Sequence, residues 1–165
     1  MNFFKTALRI DFQEASLDDE QFMQEYFNLN LSKINDRWKK LSFKTDFTEG
    51  ERLLFELILK LREDIKGLEQ RILSENSLLE LEQKANLCGV NFENLQLLET
   101  CLKQNQIYYG RFELNRSKIA LFFEALDEKT AKIIKIKNED KQEYDAFVVQ
   151  MQREMIKTLK GNDNE

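Results

Sequence analysis

At 165 residues with a net charge of −5, the chain is long enough to bury a core in one domain, or in one domain plus an extension. It carries no overall field that would draw it to nucleic acid or to an anionic bilayer. It contains no histidine and no proline, which excludes every mechanism needing an imidazole base, removes the commonest metal ligand, and favours long uninterrupted helices and strands.

The opening segment, MNFFKTALRIDFQEA, places Arg9, Asp11 and Glu14 where a signal peptide needs an apolar run. No stretch approaches the ~20 apolar residues of a membrane span, so the expectation is a cytoplasmic protein without direct membrane insertion. Cys88 and Cys101 match neither a CxxC nor a zinc-ligand spacing and read as small core residues in a reducing compartment.

From Ser16 to about Leu41, Met23, Phe27, Leu31, Ile34, Trp38 and Leu41 recur at spacings of four and three and predict one helix. Ser16 is its expected cap, and Asp18, Asp19 and Glu20 fall in the first turn, where helix-start chemistry explains them better than a metal site. Thr48 and Glu51 then form a capping box for a second helix. In it Leu54, Ile58, Leu61, Ile65, Leu68 and Ile72 alternate by four and three as a coiled-coil seam, with Leu53, Phe55 and Leu57 beside it. The seam can close an intrachain hairpin with the first helix or join subunits. Its mixed leucines and isoleucines leave dimer and tetramer both open.

After Ser77 the period changes. LLELEQKANLCGV, LQLLE, IYYGRFEL, KIALFFEAL and AKIIKIK read as strands separated by polar breaks at Asn115-Arg116-Ser117 and Asp127-Glu128-Lys129. Consecutive strands predict an antiparallel sheet or small barrel, with Tyr108, Phe112 and Leu114 on one face and Gly110 leaving room for a neighbouring side chain. Tyr144, Phe147, Val148, Met151, Met155 and Leu159 give a closing amphipathic helix from Asp140 to about Lys160. The fold class is therefore α+β. Residues 1–75 form a helical assembly region, 76–160 a small barrel with its helix, and 161–165 a frayed tail.

CGVNFENLQLL, IYYGRFEL, ALDEKTAKIIKIKNED and YDAFVVQMQREMI, in that order, make the second half resemble a PilZ domain. The resemblance is to the atypical branch in which a heptad-bearing helix assembles a tetramer. PilZ domains that bind cyclic di-GMP carry D/N-x-S-x-x-G at a strand-turn-strand. Here Gly89 stands for the acid, Asn91 for the serine and Asn94 for the glycine, so a turn is kept while the ligand contacts change. The family's second motif, R-x-x-x-R, needs arginine's planar permanent charge to grip phosphate and stack on guanine. No two arginines lie four apart in this chain.

Other chemistries find less support. Lys129, Lys132, Lys135 and Lys137 lie on and beside one strand, but alternation splits them between faces, so a solvated face is expected rather than a nucleic-acid patch. Glu80 with Glu82, and Asp127 with Glu128, lack an apolar pocket that would separate an acid from a base. Met151 and Met155 with Phe147 read as barrel closure ahead of a groove-binding stripe. The resemblance implies a non-enzymatic, cofactor-free homo-oligomer with an unidentified protein partner, recruited to flagellar or type IV pilus machinery and not expected to bind cyclic di-GMP. Two rivals stand: a cyclic di-GMP receptor with a relocated site using Arg71, Arg111 or Arg116, and a plain coiled-coil scaffold.

Overall fold

The computed structural model describes residues 1–29, 31–72, 78–115 and 117–162, apart from the side chains of 31–36, 66, 69–72 and 162. Its elements are β1 (Phe4–Glu14), α1 (Glu20–Asn28), α2 (Leu31–Phe43), α3 (Glu49–Ile72), β2 (Gln83–Val90), β3 (Asn94–Leu97), β4 (Ile107–Leu114), β5 (Ser117–Ala125), β6 (Thr130–Ile136) and α4 (Asn138–Asn162). The six strands close an antiparallel barrel in the order β1-β2-β3-β6-β5-β4. Two compact units result. One holds Met1–Leu29 with Leu81–Glu165, the other Asn30–Glu80.

The barrel with a C-terminal helix agrees with the expected fold class, and all five expected strand segments contain a strand. The N-terminal region differs from expectation. Residues 1–75 are not helical throughout, because Phe4–Glu14 is the first barrel strand, paired with both β2 and β4. Its alternation is clean, with Ile10 and Phe12 wholly buried between the exposed or half-exposed Arg9, Asp11 and Gln13. The helices are thus an insertion between the first and second strands of the barrel.

The single helix expected from Ser16 to Leu41 is two. Ser16 forms a turn, accepting from Asp18 N–H through its hydroxyl at 3.3 Å and from Asp19 N–H through its carbonyl at 3.1 Å. Asp19, not Ser16, is the cap of α1, its side chain accepting from Gln21 N–H at 3.1 Å. Leu29 ends α1 in extended backbone with ψ 127°. That break resets the phase of the helix, so α1 buries Phe22 and Tyr26 while Phe27 of the expected stripe is exposed.

The barrel interior is built from Ile10, Phe12, Leu87, Leu95, Tyr108, Phe112, Leu121 and Phe123, with Tyr144 and Val148 of α4 closing it and Phe147 and Met151 packed at the margin. Gly110 is necessary at its position. A Cβ there would lie 2.7 Å from the Phe123 ring and 3.1 Å from Ile10, and Phe123 instead stacks on Tyr108 with centroids 5.4 Å apart. Asn115, at φ 47°, takes the left-handed conformation that asparagine tolerates in the turn after β4. In the turn after β5, Asp127 accepts from the N–H groups of Lys129 and Thr130 at 2.8 and 2.7 Å.

In the second unit, Thr48 accepts from Glu51 N–H at 3.3 Å, as the capping box predicted, and α3 begins beside it. Among the described side chains of α3, Leu59 is the buried one; the Phe47 and Phe55 rings lie 5.5 Å apart, and Lys39 reaches Glu63 at 3.6 Å. These contacts use the 55–59–63 stripe of α3. The described side chains of the Leu/Ile seam, Leu54, Ile58, Leu61, Ile65 and Leu68, are exposed instead.

Candidate interaction surfaces

The turn in CGVNFENLQLL is held from within the protein. The Asn91 side-chain oxygen accepts from Glu93 N–H at 3.0 Å and Asn94 N–H at 2.7 Å, making an Asx turn. The Tyr144 hydroxyl donates to the Asn91 carbonyl at 2.7 Å and the Lys141 ammonium to the Phe92 carbonyl at 2.6 Å, both from α4. The turn needs no left-handed backbone at Asn94, where the family's motif has glycine; the described non-glycine residues with positive φ are Asn105 and Asn115. At Gly89 a Cβ would lie 2.7 Å from the Gln96 side chain and 2.9 Å from Phe3. Gly89 therefore serves close packing of β2 on its neighbours, and the turn serves closure by α4.

Of the three arginines offered for a relocated site, Arg111 is the one whose side chain is described. Arg116 lies outside the described residues, as does the side chain of Arg71. Arg111 is buried on the outer face of β4 and donates to Glu25 of α1, whose other oxygen accepts from the Tyr109 hydroxyl at 3.0 Å. Phe22 stacks on Tyr109 at 5.0 Å and Tyr26 packs on Phe122 at 5.5 Å, so α1 is fastened to the barrel by an aromatic layer around one ion pair.

Beside Arg111 an open cavity of about 300 Å³ is lined by Arg9, Asp11, Lys84, Glu113 and Lys118. Asp11 stands directly opposite both Lys84 and Arg111 on adjacent strands, and Glu113 opposite Lys118. Cross-strand alternation of sign is a stabilising lattice rather than a phosphate cradle.

The basic strand is a solvated face in part: Lys129 and Lys132 are exposed, whereas Lys135 and Lys137 are partly covered. The ammonium groups of Lys135 and Lys137 lie 5.7 and 5.6 Å from the centre of the Tyr26 ring, and Lys137 donates to the Leu29 carbonyl at 2.5 Å. They share one face, as alternation predicted, and α1 covers it. The sequence reading missed this docking because Tyr26 and Phe22 fall off the stripe that crosses the break at Leu29.

Asp127 has the opposite of a general acid's environment. The Lys129 and Thr130 N–H groups hold its carboxyl below the usual aspartate range. Both cysteines are free thiols, each partly buried, and burial pushes the Cys101 thiol up. No described helix is long and apolar enough to cross a membrane.

Among the described residues, the α3 seam is a contiguous row of exposed apolar side chains. Leu54, Ile58, Leu61, Ile65 and Leu68 are each 52–62% exposed, and Leu53 and Leu57 beside them are exposed as well. The Ile72 side chain, the sixth seam position, lies outside the described residues. On α4, Met155 is half-buried while Ile156 and Leu159 are exposed, so the stripe that closes the barrel runs past it.

Compared with models of known families, with curated proteins and with solved structures, the chain has no significant match.

Proposed function

We propose that this protein is a non-enzymatic, oligomeric adaptor. Its α3 helices join subunits, and its barrel, organised like a PilZ domain with a disabled nucleotide motif, presents a surface to a protein partner. By that resemblance the partner belongs to flagellar or type IV pilus machinery or its regulation. The observation that carries the reading is the row of exposed Leu54, Ile58, Leu61, Ile65 and Leu68 along one helix. Exposing a contiguous apolar row to water is costly unless another surface covers it.

A second copy of the same helix is the cover this row fits best. Written as heptads, Ile58, Ile65 and Ile72 occupy every a position from the second heptad on and Leu54, Leu61 and Leu68 every d position. The mixture of the two residues alone leaves the number of strands open, but this register, isoleucine at a with leucine at d, favours two parallel strands. Leu53 and Leu57 then remain on the flank, where two such dimers can pair.

Light scattering after gel filtration tests the proposal. A mass at least twice that of the chain, falling to one chain when Ile58→Asp and Ile65→Asp are combined, is expected. A monomer in the unmodified protein sinks it. Titration calorimetry with cyclic di-GMP tests the rival receptor; the adaptor reading expects no heat, because the Arg111 guanidinium is engaged by Glu25 and the turn at Asn91 by Tyr144.

A further inference from the structure

Strand β6 has one more residue than its neighbour β5 requires. Ile133 stands opposite Phe123 and Lys135 opposite Phe122, so Ile134 is the extra residue of a β-bulge. On the other side, β3 is only four residues long and its pairing with β6 ends at Asn94 opposite Lys132, extended by one bond from Ile133 N–H to the Glu93 carbonyl at 2.8 Å. Past that bond β6 continues to Ile136 with β5 on one side and no described strand on the other. Bulges and short neighbours at a barrel rim leave an edge to which an extended chain can add.

The space beside this edge is an open groove of about 410 Å³, lined by Phe92, Glu93, Lys132, Ile134, Ile136 and Lys141. Its apolar side chains reach solvent, Phe92 being 41% and Ile134 36% exposed. Its charge is opposite to that of the whole chain, which is −5. Lys132, which is exposed, Lys135 and Lys141 are among its lining residues, and Glu93 is the carboxylate among them. Lys141 is ion-paired with Asp145 and bonded to the Phe92 carbonyl, both at 2.6 Å, so the positive excess of the groove rests on Lys132 and on Lys135, whose ammonium lies 5.7 Å from the rings of Tyr26 and Phe27.

We infer that this groove takes an extended acidic segment of a partner protein as an added strand beside β6. Main-chain hydrogen bonds to the edge give such an addition its affinity, and alternate side chains give it selectivity. Lys132 and Ile134 are two residues apart on β6 and both exposed, so one face of the added strand meets an ammonium and an apolar side chain in turn. The proposal gives the adaptor reading a kind of partner, but it is read out separately from assembly, since none of its residues is on α3.

Fluorescence anisotropy with two labelled peptides of about six residues, the usual length of a strand, tests it. One alternates glutamate and valine, the other lysine and valine. The acidic peptide is expected to bind at least ~10-fold more tightly, and Ile134→Asp and Lys132→Glu each to weaken it ~10-fold or more. Lys132 is exposed, so its variant keeps the fold and guards against misreading an Ile134 variant that does not. The combined Ile58→Asp and Ile65→Asp protein should bind the acidic peptide as the unmodified one does, whether or not its mass falls. Equal binding of both peptides, no binding of either, or full binding by both groove variants would overturn the inference. So would a fall in mass on Ile134→Asp, which would make the occupant a second copy of this chain.

Discussion

The Arg111 guanidinium donates to the Glu25 carboxylate where α1 lies on the outer face of β4, and each side chain is only 9% exposed. Because Tyr109 donates to the same carboxylate, Glu25 compensates one buried charge and one buried hydroxyl at once. Glu25→Ala is expected to cost about 2–3 kcal/mol, as hydrogen bonds to charged groups do when one partner is removed. Glu25→Gln should cost less, since the amide oxygen still accepts from Tyr109. Urea midpoints at unchanged slope measure both.

Gly110→Ala should destabilise the barrel by about 1–3 kcal/mol, the usual range for overpacking a filled core. The added methyl meets the Phe123 ring, which is itself stacked on Tyr108 and has no open side to move toward. A thermal melt compared with Gly161→Ala, where nothing lies within 4 Å, isolates the effect.

Tyr144→Phe removes the donor to the Asn91 carbonyl and should cost about 1–2 kcal/mol. The loss should be local as well as global. Amide hydrogen exchange at Glu93 and Asn94, whose N–H groups are held by Asn91, is expected to quicken more than exchange in β4 or β5. Uniform quickening would mean that the turn is not held by α4.

Alkali should unfold the protein through its tyrosines. Burial, then the carboxylates of Asp140 and Glu139, pushes Tyr26 up to about 12. Burial, then Glu25, raises Tyr109 further, and burial, then Asp145, raises Tyr144. An unfolded tyrosine loses its proton near 10.0, so above that pH the folded chain holds more protons than the unfolded one and stability falls as pH rises. The contribution is complete below pH 10 and is lost as pH climbs through the folded values. Melting temperature and tyrosinate absorbance followed together check this, with three slow-titrating phenols expected to appear only as the fold is lost. A flat melting temperature above pH 10 would contradict it.

Much of the barrel was legible because alternation is a local property. IYYGRFEL and KIALFFEAL became β4 and β5 nearly as read, Gly110 does leave room for a neighbouring ring, and the Asn115 and Asp127 breaks became turns. The first strand carried the same signal, with Leu8, Ile10 and Phe12 alternating against Arg9, Asp11 and Gln13. No local rule says that a strand separated from its β2 partner by three helices belongs in the same sheet.

The candidate sites divide in the same way. The changed residues at Gly89, Asn91 and Asn94, the missing arginine pair and the heptads of α3 are facts of sequence, since residue identity and spacing are all they require. What occupies those positions was decided in three dimensions. Tyr144 reaches the Asn91 turn from 53 residues away and Arg111 meets Glu25 from 86 residues away, distances over which spacing carries no information. Which stripe of α3 is buried was likewise not legible from spacing: Leu59 is buried while Leu54, Ile58, Leu61, Ile65 and Leu68 are exposed. Local periodicity therefore determined β2 to β6, α3 and α4, while the break of the first helix at Leu29, the closure of the barrel around Phe123 and the docking of α1 on Tyr109, Arg111 and Lys135 required the tertiary structure, because burial is a property of the whole fold and not of any segment.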